Sequence, residues 1–230
     1  VAKLLTERLR NYRLEHYCMA LQKVCIFGLG NVGSKVVEQI VAEDGPERGH
    51  ENPTQIVGLV TSKRMMLSAG GILEPSRFLD RATMESEGDA HGGLSDVLRA
   101  IEQLDLAHDV MFVDATADAS PTMLEVHKKV LQMRSRMVTA NKNPLARFSF
   151  ADFRELTRRP NVYRYNASVM AGGDAVPFLL DSQLISEPVF SIAGCFSGTL
   201  GFVASALEEG RPFSEVVRDA HEKKYTEPHP

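Results

Sequence analysis

The sequence has little of what marks several large protein classes. It holds three cysteines, Cys18, Cys25 and Cys195, odd in number and widely spaced. That spacing excludes a disulfide framework and a cysteine metal site. The thiols read as small core hydrophobes in a reduced interior, cytoplasmic or plastid-like. No run of about 18 apolar residues occurs, so no segment reads as a membrane-spanning helix. Residues 1–20 also lack the continuous apolar block of a secretory signal. Charge of one sign is not in excess: 26 Lys and Arg stand against 30 Asp and Glu, a net −4. Without a basic surplus, nucleic acid is not an expected partner, and Arg134 with Arg136 reads as a solvated helix end. The chain starts at Val1 and reaches Pro230 with its pattern still running, so the expectation is a piece of a longer polypeptide.

What is present is an ordinary globular composition. At 230 residues and 43% hydrophobic, the chain can bury one large core or two modest ones. Leu4, Leu5, Leu9 and Leu14 recur among charges at helical spacing, which predicts an amphipathic helix over residues 1–22. Lys23–Phe27 is a short apolar run that reads as a buried parallel strand. Val32, Val36, Val37, Ile40 and Val41 then follow a helical period, and residues 45–54 read as a loop. Ile56–Thr61 is a second strand, which completes a βαβ unit. Residues 62–93 read as short irregular elements and a surface excursion. Helix is expected from Leu94 to Leu104, strand over Val110–Asp114, a helix capped by Ser120 with Pro121 in its first turn, and strand over Arg136–Ala140. Asp152–Glu155 resembles a capping box opening a helix that runs to Arg158. This alternation is the signature of a doubly wound α/β sheet, assigned to residues 23–160. After Pro160 the texture changes. A strand over Asn161–Val169, a glycine-rich turn at Ala171–Gly173, a helix, a strand over Val189–Phe196 and two further helices are expected. Residues 161–230 thus read as an incomplete α+β second domain.

Four segments carry chemistry. Gly28-Leu29-Gly30-Asn31-Val32-Gly33 is a G-x-G-x-x-G run between a strand and a helix, the context in which that weak motif means a dinucleotide site. Gly28 permits the tight turn, Gly30 lets backbone approach a pyrophosphate, and Gly33 lets helix pack on strand. At the end of the second strand stand Thr61, Ser62, Lys63 and Arg64, where NAD binders usually place an acid for the ribose hydroxyls. Lys63 and Arg64 suit a 2′-phosphate, which favours NADP over NAD, or they are plain surface cations. Asp114-Ala115-Thr116 and Asp118 follow a buried strand at the sheet's carboxyl edge, where Ala115 and Thr116 would let a nicotinamide ribose lie against backbone. The two aspartates are either catalytic or turn and capping residues. Asn141-Lys142 ends the next strand. Lys142 acts as a base if its surroundings favour the neutral amine; otherwise it orients substrate by charge or is solvated.

Read in order with Ala167–Gly173, Phe196–Leu200 and Tyr225–Pro228, these segments resemble homoserine dehydrogenases over residues 23–230. Thr61–Leu67 also resembles dehydrogenases fused to aspartate kinase. The resemblance implies reversible oxidation of L-homoserine to L-aspartate 4-semialdehyde with NAD(P), in threonine, methionine and isoleucine synthesis. It implies a homodimer, a possible aspartokinase fusion and an amino-acid substrate. It places Lys142 beside nicotinamide and substrate, with Gly198 and Thr199 in a loop touching both. It makes Tyr225 and Glu227 the substrate-binding pair, Glu227 accepting from the amino group. It assigns the carbonyls of Asn166, Val169, Ala171 and Gly173 to a monovalent cation, where a plain strand-to-helix turn is the other reading.

The sequence also departs from the family pattern. Asn166 stands where many members have Glu or Ser, Met170 and residues 173–177 differ from V-G-A-G-x-P, and His229 replaces an Asp. In the family, Glu-Pro is soon followed by Asp residues and a second Lys, and this sequence stops before them. If these 230 residues are the whole polypeptide, the expectation is cofactor binding with little or no turnover, and the alternative to the dehydrogenase reading is a truncated, non-catalytic nucleotide-binding module.

Overall fold

A computed structural model describes residues 21–43, 53–104, 106, 108, 110–159, 161–223 and 225–226. The helix expected over residues 1–22 and most of the loop at 45–54 lie outside the described residues, as does Glu227. The chain divides into two compact units, residues 1–165 and 166–230.

The first unit is built on a seven-stranded sheet of order β4-β3-β2-β1-β5-β6-β7. Its strands are β1 (Gln22–Phe27), β2 (Thr54–Val60), β3 (Arg64–Leu67), β4 (Asp89–Ala90), β5 (Val110–Asp114), β6 (Arg136–Thr139) and β7 (Tyr163–Arg164). The pairs from β2 to β7 through β1, β5 and β6 are parallel, whereas β3 and β4 are added antiparallel. Helix α1 (Asn31–Glu43) carries the chain from β1 to β2 on one side. The path then returns past β1 to β5, so the strand order reverses between β1 and β5. In open α/β sheets ligands bind in the crevice that this reversal opens at the carboxyl ends.

The strands read as continuous apolar runs because both faces are covered. On β1, Cys25 and Phe27 face one cluster with Phe112, Val97, Ile101, Met123, Val126, Val130 and Met137. Val24 and Ile26 face the other, with Val37, Ile56, Leu59, Phe78 and Met84. The first cluster is closed by helices α3 (Leu94–Gln103) and α4 (Thr122–Gln132), the second by α1, a 3₁₀ turn at Pro75–Leu79 and α2 (Arg81–Glu87).

Several expectations are corrected. Residues 62–93 are not irregular: they form β3, the 3₁₀ turn, α2 and β4. These elements are only 2 to 7 residues long, too short for a period to register. The capping box lies one turn earlier than expected. Ser149 caps α6 (Phe150–Thr157), its hydroxyl accepting the Asp152 amide at 3.1 Å. Asp152 pairs with Lys128 of α4 at 2.8 Å, and that ammonium, more than any other group, holds its carboxyl below the usual range. Lys142 does not sit in a simple strand end but opens a short helix, α5 (Lys142–Arg147), with Asn141 as N-cap accepting the Asn143 amide at 3.1 Å. The strand expected over Asn161–Val169 shrinks to β7, which belongs to the first unit's sheet. The strand expected over Val189–Phe196 has no ladder partner among the described residues.

The second unit holds two 3₁₀ turns, at Asn166–Ser168 and Met170–Gly172, then α7 (Ala175–Leu184), α8 (Gly198–Glu208) and α9 (Phe213–Glu222). Ser197 caps α8 through the Leu200 amide at 3.2 Å. Ala206, Val216 and Ala220 are buried between α8 and α9, and Asp219 of α9 pairs with Arg211 at 3.1 Å and Lys223 at 3.2 Å.

The two described thiols differ sharply. Cys25 is fully buried in β1, and burial pushes its thiol far above the ordinary value, whereas Cys195 is exposed. The thiolate is the reactive form. Alkylation of the native protein, followed by peptide mapping, is expected to label Cys195 at least about tenfold faster than Cys25. Equal labelling would show that β1 is not the buried strand described.

Candidate functional site

The glycine turn joins β1 to α1 at the reversal of strand order. Gly28 has φ +87°, and a Cβ there would stand 2.9 Å from both the Ala115 carbonyl oxygen and the Thr116 amide nitrogen. At Gly33 a Cβ would stand 1.9 Å from the Gly28 carbonyl oxygen. No side chain fits at either point, so the first turn of α1 is clamped against β1 and against the loop after β5. At Gly30 a Cβ would meet nothing within 4 Å. The chain is therefore tight at positions 28 and 33 and open at 30, the pattern a diphosphate needs to reach backbone. The first-turn amides of a helix have no partner within that helix, and its dipole favours an anion at this end. Asn31 and Val32, at the start of α1, are exposed; Leu29 packs into the second core cluster.

At the carboxyl end of β2 the hydroxyl of Thr61 accepts the Arg64 amide at 3.0 Å and closes a turn. Ser62 and Lys63 are exposed on that turn. Arg64 leaves it as the first residue of β3. Its Nε lies 3.1 Å from Glu85, and its guanidinium donates to the Gly88 carbonyl at 3.3 Å. Of the two cations at this strand end, Lys63 lies exposed and Arg64 is engaged by α2.

At the ends of β5 and β6, Asp114 is fully buried. Its Oδ1 accepts the Thr116 amide at 3.0 Å and the Thr116 hydroxyl at 2.7 Å. Its Oδ2 lies 3.1 Å from His127 Nε2 and accepts the Thr139 hydroxyl at 3.4 Å. Of the two roles open to Asp114, the turn role is the one seen. Asp118 behaves likewise, its carboxylate accepting the Ser120 amide at 2.7 Å. Asn141 donates to the Thr116 hydroxyl at 3.3 Å and to the Asp118 carbonyl at 2.8 Å. Ala115, Thr116, Asn141 and Lys142 are thus brought to one edge, next to Gly28.

Sequence reasoning missed His127 and Tyr163. His127 is fully buried on α4, and its Nδ1 lies 2.9 Å from the Tyr163 hydroxyl of β7. Burial, then the negative charge of Asp114, pushes the Tyr163 phenol up. One signal was available: His127 falls on the apolar stripe of Met123, Val126 and Val130, where a polar side chain needs a buried partner.

In the second unit, Thr199 and Tyr225 are brought together: the Thr199 hydroxyl donates to the Tyr225 carbonyl. The Tyr225 ring packs edge-on against Phe202 at 5.3 Å. Gly198 is the first residue of α8, and a Cβ there would meet nothing within 4 Å. In the turn at 166–173, Met170 and Ala171 have φ of 50° and 51°, a left-handed backbone unusual for such side chains. The Asn166 carbonyl accepts the Val169 amide at 3.2 Å, and the Val169 carbonyl accepts the Gly172 amide at 3.1 Å. The Asn166 side-chain oxygen is buried without a hydrogen-bond partner. Among the described residues, no group of three or more His, Cys, Asp or Glu is placed to hold a metal. No described helix is long and apolar enough to cross a membrane.

Comparison with known proteins agrees with this geometry. Residues 176–230 match the family model for homoserine dehydrogenase. The chain is 29% identical over 214 residues to the chloroplastic bifunctional aspartokinase/homoserine dehydrogenase of Daucus carota, covering 90% of this chain and 22% of the carrot protein. It is 27% identical to the homoserine dehydrogenase of Sulfurisphaera tokodaii, covering 90% of this chain and 62% of that protein. The chain therefore spans about a quarter of its bifunctional relative and less than two thirds of the monofunctional one. Among solved structures, a hyperthermophilic archaeal homoserine dehydrogenase in complex with NADPH superposes with a TM-score of 0.64 at 18% identity, over 90% of this chain and 63% of that one, which shows a shared fold. The chain is thus similar to homoserine dehydrogenases along nine tenths of its length, and residues 176–230 carry the match to that family's model.

Proposed function

We propose that this chain binds a nicotinamide dinucleotide, NADPH in preference to NADH, and interconverts L-homoserine and L-aspartate 4-semialdehyde in the synthesis of threonine, methionine and isoleucine. The observation that carries the reading is the glycine turn, closed to side chains at 28 and 33 and open at 30. The NADP preference rests on the end of β2, where no acid meets the ribose and Lys63 is exposed, and on the archaeal relative named with NADPH. Arg64, held by Glu85, takes the smaller share of that task.

When bound, the nicotinamide ring accepts or gives a hydride. The residues of this chain orient and balance charge around it. Ala115, Thr116 and Asn141 form the edge against which its ribose rests. Lys142, in the first turn of α5, handles the proton of the substrate hydroxyl as hydride leaves the carbon bearing it. Thr199, Tyr225 and Glu227 hold the amino-acid end, with Glu227 pairing the ammonium, and Gly198 lets cofactor approach α8. The carbonyls of Asn166, Val169, Ala171 and Gly173 would hold a monovalent cation. The buried, unpartnered side-chain oxygen of Asn166 would add a further ligand to such an ion, which would fix this turn by charge.

The exposed apolar side chains of the second unit, Phe178, Leu184, Phe190 and Leu200, support a homodimer. The bifunctional relatives support an aspartokinase partner on the same polypeptide. The setting is cytoplasm, or a plastid in a plant-like host.

Four measurements test this reading. Titration is expected to show NADPH binding more tightly than NADH, and Gly33→Ala to abolish both, since the added methyl collides with backbone; retained binding would refute the site. NADPH consumption with aspartate 4-semialdehyde is expected in the wild type. Lys142→Met should reduce it by about 100-fold or more with NADPH affinity kept. Binding without turnover in the wild type would reduce the chain to a nucleotide-binding module. Sedimentation should give a dimer that Phe190→Glu dissociates, and sodium or potassium should raise the melting temperature of the wild type but not of Asn166→Leu.

A further inference from the structure

We propose that His127 is a positioning residue for the nicotinamide end of the site, a role that rests on the dinucleotide reading above. It stands on α4, away from the glycine turn, yet it holds the far end of a hydrogen-bonded chain that leads there. Its Nε2 donates to Asp114 Oδ2 at 3.1 Å and its Nδ1 meets the Tyr163 hydroxyl at 2.9 Å. All three side chains are buried. Asp114 Oδ1 then fixes Thr116 by two bonds, at 3.0 and 2.7 Å. The Thr116 hydroxyl accepts from Asn141, which also donates to the Asp118 carbonyl. Thr139 adds a second link, donating to Asp114 and accepting the Asn141 amide at 3.1 Å. The chain Tyr163–His127–Asp114–Thr116–Asn141 therefore ties β7, α4, β5 and β6 to the two loops that carry Ala115, Thr116, Asn141 and Lys142.

The physical reason is the carboxylate. A fully buried carboxylate needs donors on both oxygens, since no water replaces a missing one. On Oδ2 the Thr139 contact is long, so the imidazole N–H is the main donor. Remove it and the carboxyl group rotates to find another donor. That change alters what Oδ1 offers to Thr116, whose backbone lies against Gly28. Tyr163 keeps its proton in this buried, negative setting and holds the imidazole in plane. The adenine end, at the carboxyl end of β2, shares none of these bonds.

That asymmetry supplies the test. Affinities of the full chain for NADPH and for adenosine 2′,5′-bisphosphate, which lacks the nicotinamide half, are measured for the wild type, His127→Leu, His127→Gln and Tyr163→Phe. His127→Leu is expected to weaken NADPH by about tenfold or more and the bisphosphate by less than about twofold. His127→Gln, whose amide nitrogen can replace the Nε2 donor, restores NADPH to within about threefold. Unchanged NADPH affinity in His127→Leu, or loss of both ligands in step without rescue by Gln, overturns the role. Should His127→Leu not fold, Tyr163→Phe decides: a selective loss of NADPH affinity supports the role, and none refutes it. A wild type that binds neither ligand overturns the dinucleotide reading and the His127 role together. A wild type that binds both beside an indifferent His127→Leu overturns the role alone.

Discussion

A carbonyl oxygen and a missing side chain fix the geometry of the first unit. The Gly28 carbonyl lies where a Cβ at residue 33 would have to stand, 1.9 Å away. Helix α1 can approach β1 that closely only because residue 33 carries no side chain at the point of contact. From that approach follow the direction in which the helix starts, the exposure of its first amides, and the opening at Gly30. The same closeness presses Gly28 onto the Ala115–Thr116 backbone, so the loops after β1 and β5 share one position.

The rest of the carboxyl edge is held by polar groups that the apolar layers cannot shed. The alternation on β5 buries Val110, Phe112 and Asp114 on one side, so the last of these brings a carboxyl group into the core. The fold answers with His127 and Thr139, then uses the second oxygen to order the loop that follows. Apolar packing would leave that loop free to take several forms. Directed hydrogen bonds in a dry setting select one. The antiparallel β3 and β4 do comparable work at the other end, where Glu85 and Gly88 engage Arg64 and leave Lys63 at the turn.

Elements that bury an apolar run or a helical stripe were legible in the sequence, even β5 and β6 at 5 and 4 residues. β1, α1, β2, α3, β5, α4 and β6 all lie within a few residues of their expected places. Short elements that bury no such run were not legible. β3, α2, β4 and α5 span 4, 7, 2 and 6 residues, less than the window in which periodicity can be told from chance. The expected strand at Val189–Phe196 shows the opposite error. Its apolar run is real, but a strand also needs a neighbour, and the described residues supply none. The capping box at Asp152 was misplaced by one turn because Ser149 and Asp152 both suit a cap, and only the helix start tells them apart.

For the candidate site, the sequence by itself determined a local steric pattern: three glycines at fixed spacing after an apolar run leave backbone bare enough for phosphate contact, and this follows from covalent structure and local sterics alone. Tertiary structure decided which charges are available. Arg64 and Lys63 are adjacent in the sequence and alike in charge, yet a carboxylate 21 residues away engages one of them. His127 and Tyr163 stand 36 residues apart and meet only when β7 joins the sheet beside β6. Local patterns are written in neighbouring residues, whereas the pairing of buried polar groups depends on which distant segments the folded chain brings within hydrogen-bond reach.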